Sequence, residues 1–218
     1  NLPEISKDEV SLTTTLAGKK ISVPFFINAM SGGSLETAKL NAQLAEVAAT
    51  TGIPMATGSQ SIAIKYPELA STFSIVRQKI PQGIVIGNLG ASHGLAAAQK
   101  AVTMLQADIL EIHLNAAQEL IMPEGDRSFY WEKNLQEIIK WLNVPVIVKE
   151  VGFGIRPTTF KQLKKLGVRY VDLSGRGGTN FAQIENQRRP AKDFALLNDF
   201  GLTTAETLLA SQAYAADF

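Results

Sequence analysis

The run His113-Leu114-Asn115-Ala116-Ala117-Gln118-Glu119 is the most informative stretch of this chain. An imidazole, two carboxamides and a carboxylate fall within seven positions. They close an apolar run, Ala107-Asp108-Ile109-Leu110-Glu111-Ile112, that reads as a buried strand. Side chains alternate between the two faces of a strand. Leu110, Ile112 and Leu114 therefore share one face, and Glu111, His113 and Asn115 the other. Glu119, beside Gln118 and beyond His113 and Asn115, suits a hard cation. One carboxylate supplemented by waters fits Mg²⁺ better than zinc. Lys149 sits inside the run Val144–Gly152. An ammonium there must pair or face a polar cavity, because burying it alone is costly. From such a face it can neutralise an anion or an electron-rich ring. The glycines of Ser31-Gly32-Gly33 and of Ser174 to Thr179 let backbone N–H groups approach a flat or anionic ligand.

These residues need a scaffold that brings strand ends together. Strand-like runs alternate with helical patterns along the chain. Strands are expected over 24–30, 53–58, 83–90, 107–115, 144–152 and 169–175. Helices are expected over 35–51, 96–105, 131–142, 158–166 and 203–213, with a partly helical stretch over 67–79. In the first helix Leu40, Leu44, Val47 and Ala48 take helical spacing, and Ser34 is the candidate N-cap. In the third, Leu135, Ile138, Ile139 and Leu142 form the inner face. Gly167 is the candidate C-cap of the fourth. Alternating β and α segments imply an α/β fold with a parallel sheet and right-handed crossovers. Six βα units point to a (β/α)8 TIM barrel truncated to about six units, since a full barrel needs about 250 residues. An open doubly wound sheet also accommodates six strands, but no glycine-rich dinucleotide fingerprint follows the first one. Residues 1–20 read as a polar N-terminal extension with a hairpin-like start, and residues 21–218 as the partial barrel that binds cofactor and substrate. In a barrel the polar strand ends converge on one mouth.

Composition narrows the function. The chain has 218 residues, 45% hydrophobic and 19% charged, enough for one sizeable core. A net charge of +1 provides no global field for nucleic acid or a membrane surface. Arg188, Arg189 and Lys192 form a local basic cluster, expected to be a solvated loop. His93, in a loop beside glycine, is expected at the surface. Cysteine is absent, which excludes disulfides and thiolate chemistry and suits a cytoplasmic protein. No apolar run is long enough to span a bilayer. The chain opens at Asn1 rather than Met, so the native start is expected to be missing, with truncation at both ends.

Six motifs in order carry a family resemblance: Asn28-Ala29-Met30-Ser31-Gly32-Gly33, Gly58-Ser59-Gln60-Ser61, Asn88-Leu89-Gly90, His113-Leu114-Asn115 with Gln118-Glu119, Val148-Lys149-Glu150-Val151-Gly152, and Asp172-Leu173-Ser174-Gly175 through Gly178-Thr179. The chain resembles the type 2 isopentenyl-diphosphate isomerases, flavin-dependent (β/α)8-barrel enzymes, over nearly its whole length. The His-Leu-Asn-x-x-Gln-Glu element is the most specific; Ala-Met-x-Gly-Gly alone is also similar to FMN-dependent 2-hydroxy-acid oxidases. The resemblance implies FMN across the barrel mouth, contacted by Ala29, Met30, Ser31, Ser59, Asn88, Lys149, Ser174 and Thr179. Lys149 would favour the anionic reduced ring, with NADPH as the source of reduction. Ser59, Gln60, Ser61 and Gln118 would face the substrate. Gln118, His113 and Asn115 would serve catalysis, and Glu119 would bind Mg²⁺ for the substrate diphosphate. The implied reaction is a 1,3-allylic proton shift interconverting isopentenyl and dimethylallyl diphosphate, with no net redox change.

Two departures matter. The family's N-terminal Arg-Lys element is absent, and so are the last two βα units, whose loops hold the FMN phosphate. If these 218 residues were the whole molecule, weak or no FMN binding and little activity would follow. Two exposed sheet edges would promote association between chains, and the resemblance implies a homo-oligomer, a homotetramer. The competing readings are a hydroxy-acid oxidase, a catalytically inactive fragment of the isomerase, and a flavin-free barrel acting on a sugar phosphate.

Overall fold

The computed structural model describes residues 2–218. A two-residue turn opens it. Ala17 and Gly18 both adopt positive φ, 48° and 80°, the twist that closes a tight antiparallel hairpin between β1 (Thr14–Leu16) and β2 (Lys19–Ile21). The α/β body follows: α1 (Leu35–Thr51), β3 (Met55–Ala56), α2 (Ser61–Lys65), α3 (Ser71–Lys79), β4 (Val85–Gly90), α4 (Leu95–Leu105), β5 (Ile109–Leu114), α5 (Ala116–Ile121), α6 (Glu132–Trp141), β6 (Val146–Glu150), α7 (Pro157–Lys165), β7 (Tyr170–Asp172), α8 (Phe181–Gln187) and α9 (Thr204–Ser211). Strands β3 to β7 form one curled parallel sheet in sequential order.

The expected strand over 24–30 is reduced to a single bridge between Ile27 and Met55. Pro24 has no N–H to donate, and among the described residues no strand pairs with the outer edge of this segment. The helix over 203–213 ends earlier, at Ser211, and gives way to 3₁₀ turns through Asp217. The local stop and start signals otherwise act as the residue types dictate. Ser34 caps α1 by accepting from the Thr37 N–H, and Gly52 at φ 71° ends it. Pro157 opens α7, and Gly167, at φ 85°, follows its end. Thr203 and Glu206 form the capping box of α9.

Helix α1 departs from its expected face. It buries Asn41, Ala45 and Ala48, while Leu40 and Val47 are exposed. Small residues allow α1 close to α3, and the Asn41 amide donates to the Thr72 carbonyl across that contact. In α6, Leu135 and Ile138 are buried as expected, with Ile139 and Leu142 packed at their margin.

The period-2 pattern divides the sheet into two unlike faces. Leu89, Leu110, Ile112 and Val148 point outward and pack beneath α4, α6 and α7. The concave face is layered. Its lower layer is apolar: Ala56, Ile86, Ile109 and Ile147, closed from below by Ala17 of the hairpin turn. Above it the register sets Asn88 beside Glu111, then His113 beside Lys149, and Lys149 beside Asp172. The sheet therefore places a polar cluster over an apolar plug.

Candidate active site

A hollow of about 790 Å³ lies above that polar layer, at the C-terminal ends of the strands, within the size range of small-molecule sites. Ala29, Met30, Ser59, Ser61, Asn88, His113, Asn115, Gln118, Glu119, Lys149, Ser174 and Thr179 all line it. Two other sequence-predicted residues do not. Gln60 is wholly buried; its amide donates to the Ala101 carbonyl at 2.9 Å and accepts from the Asn88 N–H at 3.1 Å. It braces the strand end from behind, which corrects the expectation that it faces a substrate. Ser31 is also buried, and its hydroxyl is hydrogen-bonded to Asn41. Only its backbone is available to the wall formed by Asn28, Ala29 and Met30.

That wall depends on one close approach. The Gly58 N–H donates to the Ser31 carbonyl at 2.6 Å, and a Cβ on Gly58 would fall 2.5 Å from the same oxygen. Gly58→Ala is expected to displace the Asn28–Met30 wall and destabilise the fold by about 1–3 kcal/mol, the usual range for overpacking. Thermal unfolding of the variant checks this, and an unchanged melting temperature would count against it.

The charged groups at the floor perturb one another. Glu111 is fully buried and pushed up to about 7, chiefly by desolvation, while a hydrogen bond from Asn88 and the charge of Lys149 act in the opposite sense. Burial likewise raises Asp172. His113 is pushed down to about 4 by burial, then by the positive charge of Lys149, so its imidazole is neutral at pH 7. The Lys149 ammonium donates to the Glu150 carbonyl at 2.9 Å. The Glu150 carboxylate in turn accepts from the N–H groups of Gly152, Phe153 and Gly154 at 2.6–2.7 Å, which shapes the loop after β6.

The far side of the hollow is a hydrogen-bonded frame. Glu119 accepts from the Asn115 amide at 2.8 Å and from the Asp126 N–H at 2.7 Å. Gln118 donates to Glu185 at 3.2 Å, and Glu185 pairs with Arg188 at 2.5 Å. Arg188 also pairs with Glu124, and Arg189 with Asp193. Arg188 and Lys192 are exposed in the segment after α8, as expected of a solvated loop, and both arginines carry carboxylate partners there. His93 also lines the hollow, with its Nε2 2.9 Å from the Ser61 hydroxyl, so the surface position expected for it is corrected. Its serine partner lies 32 positions away, and no local pattern reveals that pairing. Glu111 takes the inward position that strand alternation predicts, whereas Glu185 lies in α8, whose seven residues are too short to show a helical period in the sequence.

No family model matches the chain. It is 54% identical over 214 residues to a protein of Latilactobacillus sakei subsp. sakei named isopentenyl-diphosphate delta-isomerase, an alignment covering 98% of this chain and 61% of that relative. The chain is a homologue of the isopentenyl-diphosphate delta-isomerases. Isomerases so named from Staphylococcus saprophyticus and Listeria welshimeri are each 48% identical, over 100% and 97% of this chain and 63% and 60% of their own lengths. The chain thus spans about three-fifths of the length of these isomerase relatives. Among solved structures, one described as a lactate oxidase of Pediococcus acidilactici matches 100% of this chain and 67% of its own, with a TM-score of 0.62 at 15% identity. A mandelate oxidase holding an FMN adduct matches 79% of this chain and 53% of its own, with a TM-score of 0.52 at 13% identity. At such identities the likeness is one of fold: the curled parallel sheet and its helices share the architecture of these two oxidases. Among the described residues no helix is long and apolar enough to cross a membrane.

Proposed function

We propose that this chain forms the catalytic face of a type 2, FMN-dependent isopentenyl-diphosphate delta-isomerase, with its five-stranded sheet part of a (β/α)8 barrel. One observation carries the reading. Met30, Asn88, Gln118 and Lys149, from four separate segments, line one hollow in a chain that shares about half its residues with proteins of that name. The reaction would be the 1,3-allylic proton shift between isopentenyl and dimethylallyl diphosphate, in a cytoplasmic homo-oligomer.

The donor set fits a flavin. An ammonium, a carboxamide, three hydroxyls and a backbone wall surround a space open at strand ends, and Lys149 is free to offset negative charge on a ring. Reduced FMN, kept so by NADPH, would supply an electron-rich surface able to exchange a proton with an alkene carbon. The chain's own residues would do the rest. Lys149 stabilises negative charge at the floor, worth more in a desolvated site than in water. Gln118, held by Glu185, positions the reacting end of the substrate. Neutral His113 offers a lone pair and no charge. Asn115 orients Glu119. Among the described residues no three acidic or histidine side chains cluster as a metal cage. Glu119 therefore fits only a Mg²⁺ that takes one or two carboxylates and completes its shell with water and diphosphate oxygens.

The test is direct. The protein with FMN, a reductant and Mg²⁺ is incubated with isopentenyl diphosphate in D₂O, and deuterated dimethylallyl diphosphate is sought by NMR. Its appearance, lost when FMN is omitted, is the expected result. Flavin binding without any isomerisation would overturn the reading.

A further inference from the structure

A buried carboxylate beneath the hollow has a use that burial alone does not supply. Glu111 is completely buried, and one of its oxygens, Oε1, has no hydrogen-bond partner among the described residues. Its other oxygen accepts from the Asn88 amide at 3.1 Å. Asn88 then turns its own carbonyl oxygen to Nδ1 of His113, 2.9 Å away. His113 reaches the wall of the hollow, and its Nε2 has no hydrogen-bond partner among the described residues.

We propose that Glu111 is a positioning residue: acting through Asn88, it fixes His113 in the Nδ1-protonated tautomer and so presents the bare Nε2 to the hollow as a hydrogen-bond acceptor. The argument follows the donors. A carboxylate only accepts, so Asn88 must aim its NH₂ group at Glu111. That leaves the Asn88 oxygen, which also only accepts, facing His113. Nδ1 must then carry the proton. A neutral imidazole has one N–H, so Nε2 is bare. Flipping the Asn88 amide would set its oxygen against the fully buried Glu111 carboxylate, opposing two acceptors, a costly arrangement. Protonation of Glu111 on its free Oε1 leaves Oε2 an acceptor, so the sense of the relay is kept.

The consequence concerns ligand chemistry. Whatever rests against His113 must bring an N–H or O–H group to it. Phosphate oxygens and carbonyls are disfavoured at that wall. The relay rests on the chain's own hydrogen bonds, so it stands or falls separately from the isomerase reading.

Histidine nitrogens report the tautomer directly. The chain has only two histidines, so a two-bond ¹H–¹⁵N correlation on ¹⁵N-histidine-labelled protein, with His93→Asn for assignment, resolves His113. In the unsubstituted chain the proton is expected on Nδ1. Glu111→Gln retains an acceptor oxygen of the same shape and should keep that pattern. Glu111→Leu releases Asn88, and the proton should move to Nε2, the form free imidazole favours. An Nε2-protonated or doubly protonated His113 in the unsubstituted chain at neutral pH would overturn the proposal, and this needs no variant to fold. An unchanged pattern in a natively folded Glu111→Leu would overturn it as well.

Discussion

Under the proposed isomerase function, replacing Lys149 with methionine is expected to lower turnover by roughly two to three orders of magnitude, the loss seen when one preorganised electrostatic group is taken from an active site. Methionine keeps the unbranched shape and removes the charge. The ammonium lies in a strand register that sets it between His113 and Asp172, above an apolar layer. The apolar layer leaves its field poorly screened on the side away from the hollow. A titration supplies a second readout that needs no cofactor. Lys149 pushes His113 down and opposes the burial that raises Glu111 and Asp172. Without it, all three groups should titrate at higher pH, and the ¹⁵N signals of His113 report that directly. Near-normal turnover in a Lys149→Met protein with bound flavin would remove Lys149 from the chemistry. An unmoved His113 would place its charge elsewhere.

The part of this site that was legible in the sequence is the part that strand alternation encodes. Glu111, His113 and Lys149 take inward positions because a strand's period is fixed and the partner residues Leu110, Ile112 and Val148 are plainly apolar. Convergence of the strand ends follows from sequential parallel order, which short βα connections enforce. What stayed hidden depends on side-chain reach between distant segments. Gln60 and Ser61 are neighbours in sequence, yet Gln60 turns inward to Ala101 and Asn88 while the Ser61 hydroxyl meets His93 on the wall of the hollow. The residues of the turn, rather than the motif, decide that divergence. Helix α5 was hidden for another reason. At six residues, it is too short for an amphipathic period to register. It nonetheless holds Gln118 and Glu119 side by side in a single turn. The strand over 24–30 looked strong by composition, but a strand is defined by its partners, and only Ile27 finds one.

Glu111→Gln is expected to stabilise the protein at pH 8 by about 3 kcal/mol and to have almost no effect near pH 4, because burial raises the native Glu111 from 4.5 to about 7 and each pKa unit is worth about 1.4 kcal/mol. The native state holds this proton more tightly than the unfolded chain does. Its contribution is therefore fully present below about pH 4.5 and is lost as pH rises through about 7. His113 has the opposite slope. Its native value falls from 6.5 to about 4, so the unfolded chain binds the proton more tightly, and stability drops as pH falls through that window. Between about pH 4.5 and 6.5 the two slopes oppose each other, and together they contribute a nearly flat profile. Glu111→Gln removes one of them and should expose a decline toward acid that the unsubstituted chain conceals. Urea midpoints measured across this range read both effects. A buried leucine at such a position would contribute about 1.5–3 kcal/mol of hydrophobic stabilisation, whereas the carboxylate opposes folding at neutral pH. A stability difference between the two proteins that did not change with pH would mean that Glu111 is already solvated, and the buried relay to His113 would lose its footing.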